Sequence, residues 1–196
     1  MLALADILEA LKGTRPEKAT QTIPHTAIDS RQVQAGSLFI AIPGENVDGH
    51  DFVGAAFEKG AAFALIQHEI DGDFKTLNLR TEISDEELDA PLCLLVDDTI
   101  VALQEIARFW RNKLDLRVIG ITGSVGKSTT KELAAQALTS RYRTLKNFGN
   151  LNNEIGLPLT ILGLTEKHER AILEMGFYVP GEINFLCEIA KPQVGV

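Results

Sequence analysis

The stretch over residues 118–132, VIGITGSVGKSTTKE, constrains this chain more than any other. Val118, Ile119 and Ile121 make a short β-rich apolar run, and Leu133, Ala134, Ala137 and Leu138 recur at helical spacing behind it. Between them lie Gly123, Ser124, Val125, Gly126, Lys127, Ser128 and Thr129. Strand, glycine loop, Lys-Ser and helix are the context of a phosphate-binding P-loop. Glycines let successive backbone N–H groups close on an anion, and the helix N-terminus adds the positive end of its dipole. Lys127 is then expected to reach the β- and γ-phosphates of a nucleoside triphosphate, and Ser128 to offer its hydroxyl to Mg²⁺. One departure stands out: G-x-x-x-x-G-K-[ST] would place glycine where Ile121 stands. The competing reading is a glycine-rich turn that binds nothing, and the correctly placed strand and helix count against it.

A strand followed by a helix also points to a parallel sheet, and the rest of the chain continues that alternation. Leu2, Leu4, Ile7, Leu8 and Leu11 predict a short amphipathic helix that ends at Gly13. Residues 14–24, polar with two prolines, read as a loop or edge segment. Strands are predicted over 37–42 (SLFIAI), 62–66, 91–96, 142–145, 170–173 and 194–196. A helix is predicted from about Asp51 to Gly60, and a longer one capped by Asp98 or Thr99 with Ile100, Leu103, Ile106, Ala107, Trp110 and Leu114 on one stripe. Trp110 is expected to pack in a core or between domains. The acidic run over 67–91, with Asp71, Asp73, Glu82, Asp85, Glu86, Glu87 and Asp89, reads as a solvated connection. The expected organisation is a small α/β domain over 1–85, a connecting strand and helix over 86–115, and a parallel-sheet P-loop domain from 116 to 196. The last strand is cut short at Val196, so the chain reads as truncated.

Bulk properties narrow the partners. A net charge of −8 argues against a nucleic-acid backbone. Cys93 and Cys187 have no metal-ligand spacing and sit in apolar runs, so buried free thiols in a reducing compartment are expected. The N-terminus lacks a basic n-region, and no apolar run approaches the length of a membrane span. A soluble cytoplasmic protein is the expectation.

Two further stretches carry chemistry. Residues 146–158, KNFGNLNNEIGLP, hold Asn147, Asn150, Asn152, Asn153 and Glu154, more polar side chains than a turn requires, so a ligand-facing loop is favoured over a plain turn. Glu174 ends the strand over 170–173. Ligands lie outside the carboxyl ends of strands in open parallel sheets, so this carboxylate is placed to hold Mg²⁺ beside the P-loop. The alternative is an exposed strand-end glutamate.

Three blocks resemble the Mur ligase family, the ATP-dependent amide ligases that build the peptidoglycan stem peptide. They are DSRQVQAGSLFIAIPGENVDGHDF (29–52), GITGSVGKSTTKE (120–132), and GNLNNEIGLP (149–158) with LEMG and PGEI (173–183). The set is most similar to the member that joins D-alanyl-D-alanine to UDP-N-acetylmuramoyl-tripeptide. The member that adds the third stem amino acid is less similar in the asparagine loop and around Glu174. The resemblance implies a UDP-binding N-terminal domain with Ser30, Arg31, Asp48 and His50 at the substrate, although the residues alone would equally suit loop-fixing hydrogen bonds. It implies ATP and Mg²⁺ as cofactors, Lys127 and Glu174 as catalytic residues, Ser128 and Glu174 as metal ligands, and Asn150 and Asn153 facing the substrate. The implied reaction runs through an acyl phosphate, in a monomer. Residues 177–179 (FYV) depart from the pattern with bulky apolar groups. Such ligases run to more than twice this length, so the chain is not expected to ligate alone. A non-catalytic nucleotide- or UDP-sugar-binding module is the alternative from another class, and a P-loop GTPase or kinase is a third.

Overall fold

The computed structural model describes residues 1–81 and 88–196, which divide into two compact units, Met1–Ile106 and Ala107–Val196. Glu82, Asp85, Glu86 and Glu87 of the acidic run lie outside the described residues.

The first unit opens with α1 (Leu4–Lys12), which buries Leu4, Ile7 and Leu8 and ends at Gly13 in the left-handed region. Asp6 in its first turn accepts from the Ala3 N–H at 2.9 Å and from Arg15 at 2.7 Å. Five parallel strands follow: β1 (Thr26–Ala27), β2 (Leu38–Ile40), β3 (Phe63–Ile66), β4 (Thr76–Asn78) and β5 (Leu92–Leu95), in the order β1-β2-β3-β5-β4. Every residue of β2, β3 and β5 is buried, as befits a parallel sheet covered on both faces. Phe39, Ala41, Ala64, Ile66, Cys93 and Leu95 pack with Val53 and Ala56 of α2 (Val53–Glu58) in one core cluster. Two readings change here. Thr76–Asn78, inside the stretch expected to be a solvated connection, is an edge strand that buries Leu77 against β5. Leu92–Leu95, expected in a connecting segment, pairs on both sides within this sheet.

Helix α3 (Thr99–Lys113) starts where the Asp98 carboxylate accepts from the N–H groups of Ile100 and Val101 at 2.8 and 2.9 Å, satisfying two donors that a first turn leaves free. The division between units falls inside this helix rather than at 111–116.

The second unit carries β6 (Arg117–Ile121), α4 (Lys127–Thr139), β7 (Thr144–Lys146), α5 (Gly156–Leu162), β8 (Arg170–Glu174), α6 (Glu182–Ala190) and β9 (Val194–Gly195). Its sheet is parallel in the order β7-β8-β6-β9. The indole of Trp110 is buried and donates to the Leu164 carbonyl at 2.9 Å. Arg111 is buried too, and its guanidinium donates to the carbonyls of Ala190, Leu114, Leu116 and Lys191. Helix α5 was not expected from the asparagine loop. Pro158 falls in its first turn, where a missing N–H costs no hydrogen bond. Cys93 is buried and Cys187 half-buried, and both are free thiols. No helix among the described residues is long and apolar enough to cross a membrane.

Candidate active site

Because β6, β7 and β8 are parallel neighbours, their carboxyl ends open on one edge, and three segments meet there. β6 runs into the glycine loop, β8 ends in Glu174, and β7 runs into the asparagine loop. In the glycine loop Gly123 and Gly126 take φ of 135° and 86°, so the turn into α4 uses backbone that side chains rarely adopt. Lys127 folds over this turn and donates to the Gly123 carbonyl at 2.5 Å. Ser124, Val125, Gly126, Ser128 and Thr129 are exposed, as a loop that meets an anion must be.

Glu174 is the best-connected side chain of the edge, and it is buried at 3% exposure. Its Oε2 accepts from Ser128 Oγ at 2.9 Å and lies 3.3 Å from the Lys131 ammonium. Its Oε1 accepts from Asn152 Nδ2 at 2.8 Å. Burial alone would push this carboxyl up. The hydrogen bonds from Asn152, Ser128 and Lys131, with the Lys131 charge, outweigh burial and hold it below its ordinary value. The backbone of Glu174 is held as well: Asn147 Oδ1 accepts from its N–H at 2.9 Å and Asn147 Nδ2 donates to its carbonyl at 3.0 Å.

The asparagines of the loop divide by partner. Asn147 and Asn152 meet Glu174. Asn153 spends its Oδ1 on the N–H groups of Ile155 and Gly156 at the start of α5, and Asn150 is exposed. Lys131 was missed. Its signal was its place four residues after Lys127, which puts both on one face of α4. Residues 177–179 are exposed, and the carboxylate of Glu182 accepts from the N–H groups of Tyr178 and Val179.

In the first unit a cavity of about 450 Å³ is lined by Ile28, Asp29, Ser30, Arg31, Ile42, Val47, Gly49 and Phe52. Arg31 is held in a fork by Asp29 at 2.8 to 3.1 Å, and those bonds pull the Asp29 carboxyl down to about 2. The expected quartet does not converge on this cavity. Ser30 and Arg31 line it, whereas His50 is buried with both ring nitrogens engaged. His50 Nε2 accepts from the Gln67 N–H at 2.9 Å, so Nδ1 carries the proton and donates to Asp48 at 2.5 Å. Asp48 and His50 thus shape the loop around Gly49. With His68 they also form a trio whose possible ligand atoms lie within 4.8 Å of one another. A metal on His50 Nδ1 would move the proton to Nε2, against the Gln67 N–H, so these bonds oppose metal ligation.

Comparison with known families decides among those that share a P-loop. Two family models match, the Mur ligase family catalytic domain over residues 22–111 and the Mur ligase middle domain over residues 121–196. The chain belongs to the Mur ligase family. It is 40% identical, over 97% of its own length, to the UDP-N-acetylmuramoyl-tripeptide–D-alanyl-D-alanine ligase of Bacillus subtilis. Among solved structures it is similar to MurF of Acinetobacter baumannii, with 32% identity, 98% of this chain covered and a TM-score of 0.77. It is also similar to MurF ligase of Thermotoga maritima, a structure in complex with ADP, with 34% identity, 86% covered and a TM-score of 0.67. This Mur ligase chain spans 39%, 39% and 35% of those relatives' lengths, in the same order.

Proposed function

We propose that this chain supplies the UDP-sugar site and the nucleotide-phosphate site of an ATP-dependent ligase that joins D-alanyl-D-alanine to UDP-N-acetylmuramoyl-tripeptide. The observation that carries the proposal is the 2.9 Å hydrogen bond between Ser128 Oγ and Glu174 Oε2, which links the glycine loop to the neighbouring strand end. A hydroxyl and an ionised carboxylate are hard oxygen donors, the set that suits Mg²⁺. Bound there, the ion would neutralise phosphate charge. Backbone N–H groups of 123–128 would cradle the phosphates, and Lys127 would leave the Gly123 carbonyl for the β- and γ-phosphates. The tripeptide carboxylate attacks the γ-phosphorus and releases ADP. The amine of D-alanyl-D-alanine then attacks the acyl carbon and releases phosphate and a proton. Asn150, at the exposed tip of its loop, and the Nδ2 of Asn153 would meet the substrate. Ser30 and Arg31 would hold the UDP end in the cavity of the first unit, with Asp48 and His50 fixing its wall.

Calorimetric titration of the chain tests both sites. UDP-N-acetylmuramoyl-tripeptide and ATP–Mg²⁺ should each bind. Arg31→Ala should weaken only the first and Lys127→Ala only the second, each by roughly tenfold to a hundredfold, the worth of a charge-assisted contact. A wild-type chain that takes up ATP–Mg²⁺ and ignores the UDP-sugar peptide would overturn the ligase reading and leave a P-loop protein.

A further inference from the structure

The Glu174 carboxylate has a buried positive partner within the protein. The Lys131 ammonium lies 3.3 Å from its Oε2, and both side chains are buried, at 3% and 4% exposure. Lys131 also donates to the Gly149 carbonyl of the asparagine loop at 3.0 Å, and Glu132 is the other carboxylate near it, at 4.0 Å. The remaining partners of the Glu174 carboxylate, Ser128 and Asn152, are neutral. Lys127 is turned to the Gly123 carbonyl. The oxygen that Lys131 faces is the same Oε2 that receives the Ser128 hydroxyl, so the ammonium stands beside the pair of oxygens assigned above to the metal.

A buried carboxylate stripped of its counter-ion is costly. A fixed positive charge beside a cation site also lowers that site's affinity for free divalent ions, because like charges at a few ångströms in a poorly screened interior repel strongly. Resting on the reading of Ser128 and Glu174 as metal ligands, we propose that Lys131 is a resident counter-ion. It keeps Glu174 charged and aimed at Ser128 while the site is empty of metal. It also suppresses uptake of free divalent metal, so that the ion enters together with the nucleotide, whose phosphate charges outweigh the repulsion. Lys131 is thus a positioning residue that sets the order of loading, a role distinct from that of Lys127 one helical turn earlier.

Binding of Mn²⁺ alone and of Mn²⁺–ATP, followed by electron paramagnetic resonance, tests this without reference to turnover. The wild-type chain should bind free Mn²⁺ weakly and Mn²⁺–ATP well. Lys131→Met should bind free Mn²⁺ roughly tenfold tighter or more, as removal of a neighbouring like charge requires. Its melting temperature should fall in chelator and recover with Mn²⁺. Lys131→Arg should behave as wild type. Lys131→Met combined with Glu174→Gln should lose the gain in Mn²⁺ affinity and regain stability in chelator, a result that mere loss of packing would not produce. If Lys131→Met does not fold, Lys131→Gln carries the same expectation. Free-Mn²⁺ affinity equal to or below wild type in the neutral variant overturns the proposal. A wild-type chain that binds neither Mn²⁺ nor Mn²⁺–ATP overturns the site assignment itself, and this inference with it.

Discussion

Asp48 serves three donors: the His50 N–H at 3.0 Å, His50 Nδ1 at 2.5 Å and His68 Nε2 at 3.1 Å. The two imidazoles stack with centroids 3.9 Å apart, yet their hydrogen-bond partners differ. His50 Nε2 accepts from the Gln67 N–H at 2.9 Å. His68 faces an acceptor on each side, the Glu69 carbonyl at 2.9 Å and Asp48, and only the imidazolium donates to both. The Glu69 carbonyl first, and Asp48 second, therefore raise His68 above its ordinary value of 6.5. A raised folded-state value means that the stability it confers is complete below the ordinary value and is lost as pH rises through the folded one. Ring-proton NMR should place the His68 midpoint above the ordinary value, and Asp48→Asn should lower it. A midpoint at or below the ordinary value would refute this two-acceptor assignment.

The asparagine loop works as an extension of β7. Backbone pairing between β7 and β8 ends at Lys146 and Ile172, and two residues on the side-chain amide of Asn147 takes over both backbone groups of Glu174. Removing that amide leaves a buried N–H and a buried carbonyl without partners. Asn147→Ala should cost about 3 kcal/mol, since each orphaned buried group costs about 1–3 kcal/mol. Urea denaturation followed by a probe in the second unit would measure it, and a loss below about 1 kcal/mol would show that the amide is dispensable. Local pattern revealed the buried strands, because runs such as Phe63–Ile66 are apolar throughout, and it revealed the glycine loop, whose chemistry is contiguous. It missed β4, whose single buried side chain, Leu77, sits among polar neighbours. It did not reveal which amide meets which partner. Which asparagine reaches Glu174 depends on contacts 22 and 27 residues apart, and the Ser128 contact spans 46. His50 is engaged at similar range: its Nε2 accepts from the Gln67 N–H, 17 residues away, a contact that local pattern does not show.

At the scale of the whole molecule, two sheets each carry a proposed binding element at strand ends or in the loops beside them. The first holds the cavity between the loops after β1 and β2, and the second holds the edge formed by the loops after β6, β7 and β8. Ligand binding stabilises whatever must be ordered to bind, by about 2.7 kcal/mol at a concentration a hundredfold above Kd. Local openings that break the site should then slow by roughly a hundredfold, and amide exchange reads them one by one. ATP–Mg²⁺ should slow exchange in residues 122–131 and 147–152, where the glycine loop, Lys131 and the amides of Asn147 and Asn152 share Glu174. UDP-N-acetylmuramoyl-tripeptide should slow residues 28–31 and 42–52, which line the cavity and hold the Asp48–His50 pair. The asparagine loop is the discriminating segment. The Gly176 N–H, just beyond β8, already donates to the loop's Asn152 carbonyl at 2.8 Å, and Lys131 holds Gly149, so the loop is tied to the edge. If ATP–Mg²⁺ protects the glycine loop and leaves 147–152 unchanged, the loop is not part of the phosphate site. Protection of both segments together would make the Glu174 cluster the unit through which they act.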